Sequence, residues 1–181
     1  QQVVDAPADL YQQFEQTKLM DMYQRVAKEI RLVDKNHILF LGTTMGSNMG
    51  VYSGIRPLVD ENGHRDPFQA YAPHGYDLVT DTKFVASPNF DRIKFIFDRH
   101  NETAKRLNIP VLVGEWGAYS NFKDTYPAAH NVTQQFETHG FGDTYWDHDH
   151  GMDSYDHFPA ISRPYASRIA GTMKGQLFNP G

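Results

Sequence analysis

The chain has 181 residues, 22 acidic against 17 basic side chains, a net charge of −5 and an aromatic share of 13%. That length accommodates one domain with a real core, and an acidic balance without a basic stripe excludes nucleic acid as a partner. Cysteine is absent, which removes disulfides, thiolate metal sites and cysteine nucleophiles together. No apolar run approaches the roughly 18 residues that span a bilayer. The opening Gln1 to Val4 has neither the charged nor the apolar region of a signal peptide. It does not read as a native start, so position 1 is expected to follow processing or to lie within a longer protein. Two glycosylation triplets, Asn101-Glu-Thr103 and Asn131-Val-Thr133, fit a secreted or extracellular protein, lysosomal and cell-surface locations included. The composition alone fits a cytosolic enzyme as well.

The three- and four-residue spacing of Leu10, Phe14, Leu19, Tyr23, Val26, Ile30 and Val33 predicts a helix over 9–34 with one apolar stripe facing the core. Asp34-Lys-Asn36 ends it, and His37 to Leu41 reads as a buried strand. A glycine-rich segment follows from Gly42 to Asp66, and a connection this long is usually a lid or a binding loop. Ala70 to Asp77 reads as a short strand whose Pro73 belongs near an end. Loop 78–88 leads to Asn89, an N-cap for a helix over Phe90 to Leu107 with Ile93, Phe97 and Ala104 turned inward. Pro110 to Val113 is an apolar strand that stops at Gly114-Glu-Trp-Gly117. Thr125 caps a helix from Tyr126 to about Thr138, with Pro127 in its first turn. Asp143 to Asp147 is a fourth strand, a polar loop runs to His157, and a last helix is expected from Phe158 to about Ala170. Residues 1–172 thus form one unit, and 173–181 read as a tail or the start of a linker.

Strands alternating with helices imply βαβ units on a parallel sheet, an α/β protein. Each strand ends in polar or aromatic loop residues, the layout of a (β/α)8 barrel with its site on that face. A complete barrel needs about 250 residues. Four strands therefore predict half a barrel.

The strand ends carry the loop from Asn48 to Tyr52, then His74 and Tyr76, then Glu115, then Trp146. Gly114 and Gly117 let a substrate come close to Glu115, and Trp116 and Tyr119 offer flat faces for a sugar. Glycoside hydrolysis accounts for such a set. A retaining glycosidase needs a carboxylate nucleophile and a second carboxylic acid about 5 Å away. A tyrosine donating to the nucleophile keeps it ionised, and an indole floors the apolar side of a sugar ring.

At these positions the chain resembles glycoside hydrolase family 5. The family pattern has His-x-Tyr after strand six, a Glu nucleophile after strand seven and a Trp after strand eight. Here those are His74-Gly-Tyr76, Glu115 in Val-Gly-Glu-Trp-Gly, and Trp146 in Thr-Tyr-Trp-Asp, so residues 9–170 are similar to the C-terminal half of the barrel, strands five to eight. Tyr71-Ala-Pro-His-Gly-Tyr-Asp77 and Ser162 to Gly171 look most like endoglycoceramidases. The resemblance implies Glu115 as nucleophile, Tyr76 as its hydrogen-bond donor, His74 as support for the acid/base carboxylate or the substrate, and Trp146 as the floor of the sugar subsite. Asn48, Tyr52, Asp147 and His148 would complete the sugar contacts. Met45, Met49, Val51, Tyr52, Ile55 and Leu58 either line a surface for ceramide or pack their loop against the barrel.

The implied partners are a glycan or glycolipid, lipid aggregates, and the N-terminal half of the same barrel in this or a separate chain. No cofactor or metal is implied. The family's acid/base Glu follows an Asn, and no such pair stands at a strand end here: Asn101-Glu102 lies in a helix and Glu61-Asn62 in a turn. A β-1,4-glucanase of the same family and a non-catalytic carbohydrate- or lipid-binding module are the alternatives. A third is a metal-dependent hydrolase built on Asp147, His148, Asp149, His150, Asp153, Asp156 and His157.

Overall fold

The structure, a computed structural model, describes the backbone of residues 2–163 and the side chains of residues 8–163. The chain runs through α1 (Gln2–Phe14), a π-helical turn (Glu15–Leu19), α2 (Met20–Val33), β1 (Leu39–Leu41), the single turn α3 (Met45–Asn48), β2 (Gln69–Tyr71) and β3 (His74–Gly75). It continues with α4 (Phe90–Leu107), β4 (Leu112–Val113), β5 (Glu115–Trp116), α5 (Tyr126–His139), β6 (Gly142–Asp143) and α6 (Phe158–Ile161). The six strand pieces make four staves. β2 with β3 forms the second, interrupted at Ala72-Pro73, and β4 with β5 forms the third, interrupted at Gly114.

Every contact between staves is parallel. β1 pairs with β2, β3 with β5, and β4 with β6, and single bridges Tyr71–Val111 and Gly117–Trp146 close the gaps. Parallel strands need crossover connections, and α4 and α5 supply them between the later staves. All four staves therefore end on one side, with residues 42–52, 76–78, 117–119 and 147–150 in the loops there. Among the described residues, β1 and β6 each have one unpaired edge.

Two cores hold the sheet. One joins Ile93 and Phe97 of α4, Val132 and Phe136 of α5, and Val113 and Trp116 of the third stave. Phe136 meets both Phe97 and Trp116 edge to face, at 5.4 and 5.2 Å between ring centroids, the arrangement aromatic quadrupoles favour. The other packs Met20 and Ala27 of α2 on Leu41, Ile55, Leu58, Tyr71 and Leu107. Ile55 and Leu58 are thus core residues, which removes them from any ceramide surface. Met45 and Met49 of the same segment are exposed.

The first helical segment departs from its predicted stripe. Leu10, Phe14, Val26 and Val33 are exposed, and Met20, Ala27 and Glu15 face the core instead. Beyond Leu19 the π turn contributes, because its i→i+5 bonding inserts one extra residue and rotates the register from Met20 onward. The predicted buried strand at 37–41 is buried at Leu41 but leaves Phe40 exposed. Asn89 caps α4 as expected, accepting from the Arg92 N–H at 2.8 Å. Thr125 makes no cap bond to α5; its hydroxyl reaches the Phe122 carbonyl and His157. The predicted last helix is present as far as Ile161, and the rest of it, most of the Ser162–Gly171 motif and the tail lie outside the described residues.

Asp77 fastens the end of the second stave to α4. Its carboxylate accepts from the N–H groups of Leu78 and Asn89 at 2.8 and 3.0 Å and pairs bidentately with Arg92. Burial pushes its pKa up, but the Arg92 guanidinium and the two amides more than offset that and hold it below the usual value. A depressed folded-state pKa contributes stability that is complete above the unfolded value, about 3.9, and is lost as pH falls through the folded one. The stability difference between the parent and Asp77→Asn, from urea titrations, should therefore be flat above about pH 5 and shrink below pH 4. A difference that persists unchanged at pH 2 would contradict the pairing.

Candidate active site

Glu115 stands at the end of the third stave, paired in register with His74 of the second. The Tyr76 hydroxyl donates to Glu115 Oε2 at 3.1 Å, and His74 Nδ1 lies 3.4 Å from the same oxygen. Among the described residues Oε1 accepts no hydrogen bond. One carboxylate oxygen is held and the other is open. Both side chains are about one-third exposed, 35% for His74 and 34% for Glu115, so a ligand can reach them. Burial, and next the charge of Glu115, push the Tyr76 pKa far above its usual value. The phenol therefore stays protonated and remains a donor at any physiological pH.

Trp146 closes one side. Its N–H donates to the Trp116 carbonyl at 2.8 Å and its own carbonyl accepts from the Ala118 N–H at 2.6 Å. The fourth stave thus registers directly beside Glu115, and the Trp146 ring stays half exposed, at 50%. Gly117 makes this approach possible. Its φ is +103°, and a Cβ there would collide with the Tyr145 ring, so no L-residue with a side chain fits without displacing that ring.

Two of the expected sugar platforms are elsewhere. Trp116 is fully buried and donates its indole N–H to Asp143 Oδ2 at 2.9 Å. Tyr119 is 5% exposed and packs with Tyr145 and His157. Successive strand residues point to opposite faces, so a Glu115 aimed at the open end places Trp116 against the helices. Asn48 uses its Oδ1 within the protein, accepting from the His74 N–H at 3.0 Å and from the Thr43 hydroxyl at 2.9 Å. The Tyr52 hydroxyl accepts from Arg106 Nε at 3.1 Å, with the guanidinium over its ring. That pair ties the loop to α4. Asp147 and His148 are exposed beside Trp146.

The proposed metal cluster does not form among the described residues. His157, fully buried, bonds Thr125 and the Tyr145 hydroxyl, the latter at 2.9 Å. Asp149 accepts from Tyr155, and Asp156 from the Asp124 N–H. Sequence reasoning passed over His100 altogether. It is 1% exposed in α4, with Nε2 3.1 Å from the His74 carbonyl and Nδ1 3.0 Å from the Tyr71 hydroxyl. A histidine on the inward face of a predicted helix, in register with Ile93, Phe97 and Ala104, was the available signal.

With this arrangement in view, the chain can be set against known proteins. The family profile described as Cellulase (glycosyl hydrolase family 5) matches residues 5–151. The chain belongs to glycosyl hydrolase family 5. Among solved structures it is similar to endo-glycoceramidase II from Rhodococcus sp. with a five-membered iminocyclitol, at 26% identity and a TM-score of 0.70, over 88% of this chain and 39% of that one. The same enzyme as a lactosyl-enzyme intermediate gives 26% and 0.69, over 88% and 38%. A hyperthermophilic endo-β-1,4-glucanase in complex with substrate gives 21% and 0.64, over 82% and 55%. No curated protein matches. The chain spans about two-fifths of the length of the endo-glycoceramidase, so its four staves are part of a family 5 (β/α)8 barrel.

Proposed function

We propose that this chain provides strands five to eight, the nucleophile-bearing half, of the barrel of a retaining β-glycosidase acting on glycosphingolipids in the manner of an endoglycoceramidase. The observation that carries this reading is Glu115 with one oxygen held by Tyr76 and the other free, at the open end of a parallel sheet beside an exposed Trp146. In the proposed reaction, Glu115 Oε1 attacks the anomeric carbon, the glycosidic bond breaks and its electron pair leaves with the aglycone oxygen. A carboxylic acid protonates that oxygen, and the resulting glycosyl ester is hydrolysed by water with the same group now acting as base. The acid comes from outside residues 1–181. Glu61 is engaged with Lys28 at 2.6 Å, and Glu102 with Arg99 at 2.7 Å on the outer helix α4.

Tyr76 serves by stabilising the ionised nucleophile and fixing its direction. Tyr76→Phe is expected to lower kcat/KM by ten- to a hundred-fold, the range for a charged hydrogen bond worth about 1.5–3 kcal/mol, with little change in melting temperature. Trp146 supplies the sugar floor. The glycolipid preference is supported by the identity to the endo-glycoceramidase and by exposed Met45, Met49, Leu78 and Phe84 in the loops of the same face. These would meet the ceramide or the lipid aggregate that presents it, and a secreted or extracellular location would suit that substrate.

The second reading is a β-1,4-glucanase, favoured by the family's own description as cellulase. The test is to offer the assembled barrel a glycosphingolipid and a cello-oligosaccharide in parallel and follow the released sugar by NMR. Retained β-configuration from the glycolipid supports the proposal, and turnover of the oligosaccharide alone supports the glucanase. Binding without turnover of either favours a non-catalytic module.

A further inference from the structure

The stave that carries His74 and Tyr76 is not held by the sheet alone. β1 stops at Leu41 and β2 at Tyr71, so the first stave offers His74 no strand partner. Two side chains replace it. The His74 N–H donates to Asn48 Oδ1 at 3.0 Å, and the His74 carbonyl accepts from His100 Nε2 at 3.1 Å. The two peptide units that flank the His74 Cα are thereby fixed, one by the loop after β1 and the other by α4.

Each arm is itself braced. Asn48 Oδ1 also accepts from the Thr43 hydroxyl at 2.9 Å. With Nε2 donating to a carbonyl, His100 must present Nδ1 as an acceptor, and the Tyr71 hydroxyl, fully buried, fills it at 3.0 Å. Burial lowers the His100 pKa to about 4, so this neutral tautomer persists across the working range. Phe97 and Tyr71 meet the His100 ring edge to face, both at 5.9 Å.

The consequence lies two residues on. Between them Gly75 packs its backbone closely on Phe97, where an added Cβ would come within 2.6 Å of the ring. The position of His74 is therefore passed to Tyr76, whose hydroxyl must sit within hydrogen-bond range of Glu115. We propose that Asn48 and His100 are positioning residues, a two-sided clamp on the His74 backbone that sets the distance of Tyr76 and His74 from the Glu115 carboxylate. This rests on the reading of Glu115 as nucleophile and reassigns Asn48 from sugar contact to scaffold.

The test uses the intact protein and a dinitrophenyl β-glycoside, whose phenolate leaves without protonation and so reports attack by Glu115 alone. Asn48→Leu is expected to lower kcat/KM about ten- to a hundred-fold, as sub-ångström misplacement of a reacting group does. Its affinity for the product sugar, measured by calorimetry, should stay within about two-fold of the parent. Asn48→Asp keeps the acceptor and should recover most of the rate. His100→Phe should reproduce the loss, and if that buried substitution does not fold, the Asn48 pair decides the matter. Unchanged kcat/KM in folded Asn48→Leu, or equal losses in rate and sugar affinity, would overturn the clamp. A parent that releases no dinitrophenolate would overturn the nucleophile reading and the clamp with it, so the two failures are distinct.

Discussion

Glu115→Gln is expected to lower turnover of a natural β-glycoside by about 10⁴- to 10⁶-fold, the range seen when a nucleophile is removed from an enzyme that works through a covalent intermediate. The substitution is nearly isosteric. The amide oxygen can still accept from Tyr76, so the hydrogen bond at 3.1 Å and the placing of the stave should survive. What is lost is the anionic oxygen that forms the ester. The effect should therefore fall on kcat, with sugar affinity close to the parent and an unchanged melting curve. Glycosidase assays and calorimetry on the same preparation separate these quantities. A variant with parental turnover would mean that another group attacks the anomeric carbon.

Glu15→Ala is expected to produce the largest loss of stability, about 3–5 kcal/mol, as for a buried charged partner removed from its hydrogen bonds. Glu15 is fully buried and takes five donors. Oε1 accepts from the Thr44 N–H at 2.9 Å and from the hydroxyls of Thr44 and Ser47, both at 2.7 Å. Oε2 accepts from the Ser53 hydroxyl at 2.6 Å and the Gly54 N–H at 2.7 Å. Removing the carboxylate strands those donors in a dry site, where each unsatisfied group costs about 1–3 kcal/mol before relaxation. Urea unfolding checks it, and a loss under 1 kcal/mol would show that water replaces the carboxylate. Because the anchored loop carries Asn48, whose Oδ1 accepts from the His74 N–H, partial loosening of the loop should also slow catalysis in whatever remains folded.

Glu115 was legible in the sequence and Glu15 was not. The alternation of apolar runs with helical patterns led to four parallel staves, and the residues just past each run led to His74, Tyr76, Glu115 and Trp146. The staves were legible because a buried strand must be apolar and its end must not be. Glu15 was invisible to that pattern. In a straight helix of 3.6 residues per turn the apolar stripe should face inward, yet the π turn at Glu15–Leu19 holds a buried carboxylate, and beyond it Met20 and Ala27 are buried while Val26 is exposed. A period count has no means of registering one extra residue.

Trp116 and Tyr119 failed for a different reason. Their chemistry suits a sugar site, but chemistry does not fix direction. Strand alternation does, and applied to Glu115 it would have sent the next residue inward. Asn48 and His100 lie further out of reach, because their function depends on which strand stops short of its neighbour. That is a property of the assembled sheet, set by the interruption at Ala72-Pro73 and the end of β1 at Leu41.

The most direct test of the account is covalent labelling with a 2-deoxy-2-fluoro dinitrophenyl β-glycoside, followed by proteolysis and mass spectrometry. The fluorine slows breakdown of the ester, and the leaving group removes the need for a second carboxylate. One fluoroglycosyl group per chain on the peptide containing Glu115, absent from Glu115→Gln, is the predicted result. A label on another residue, or none at saturating reagent, would contradict it.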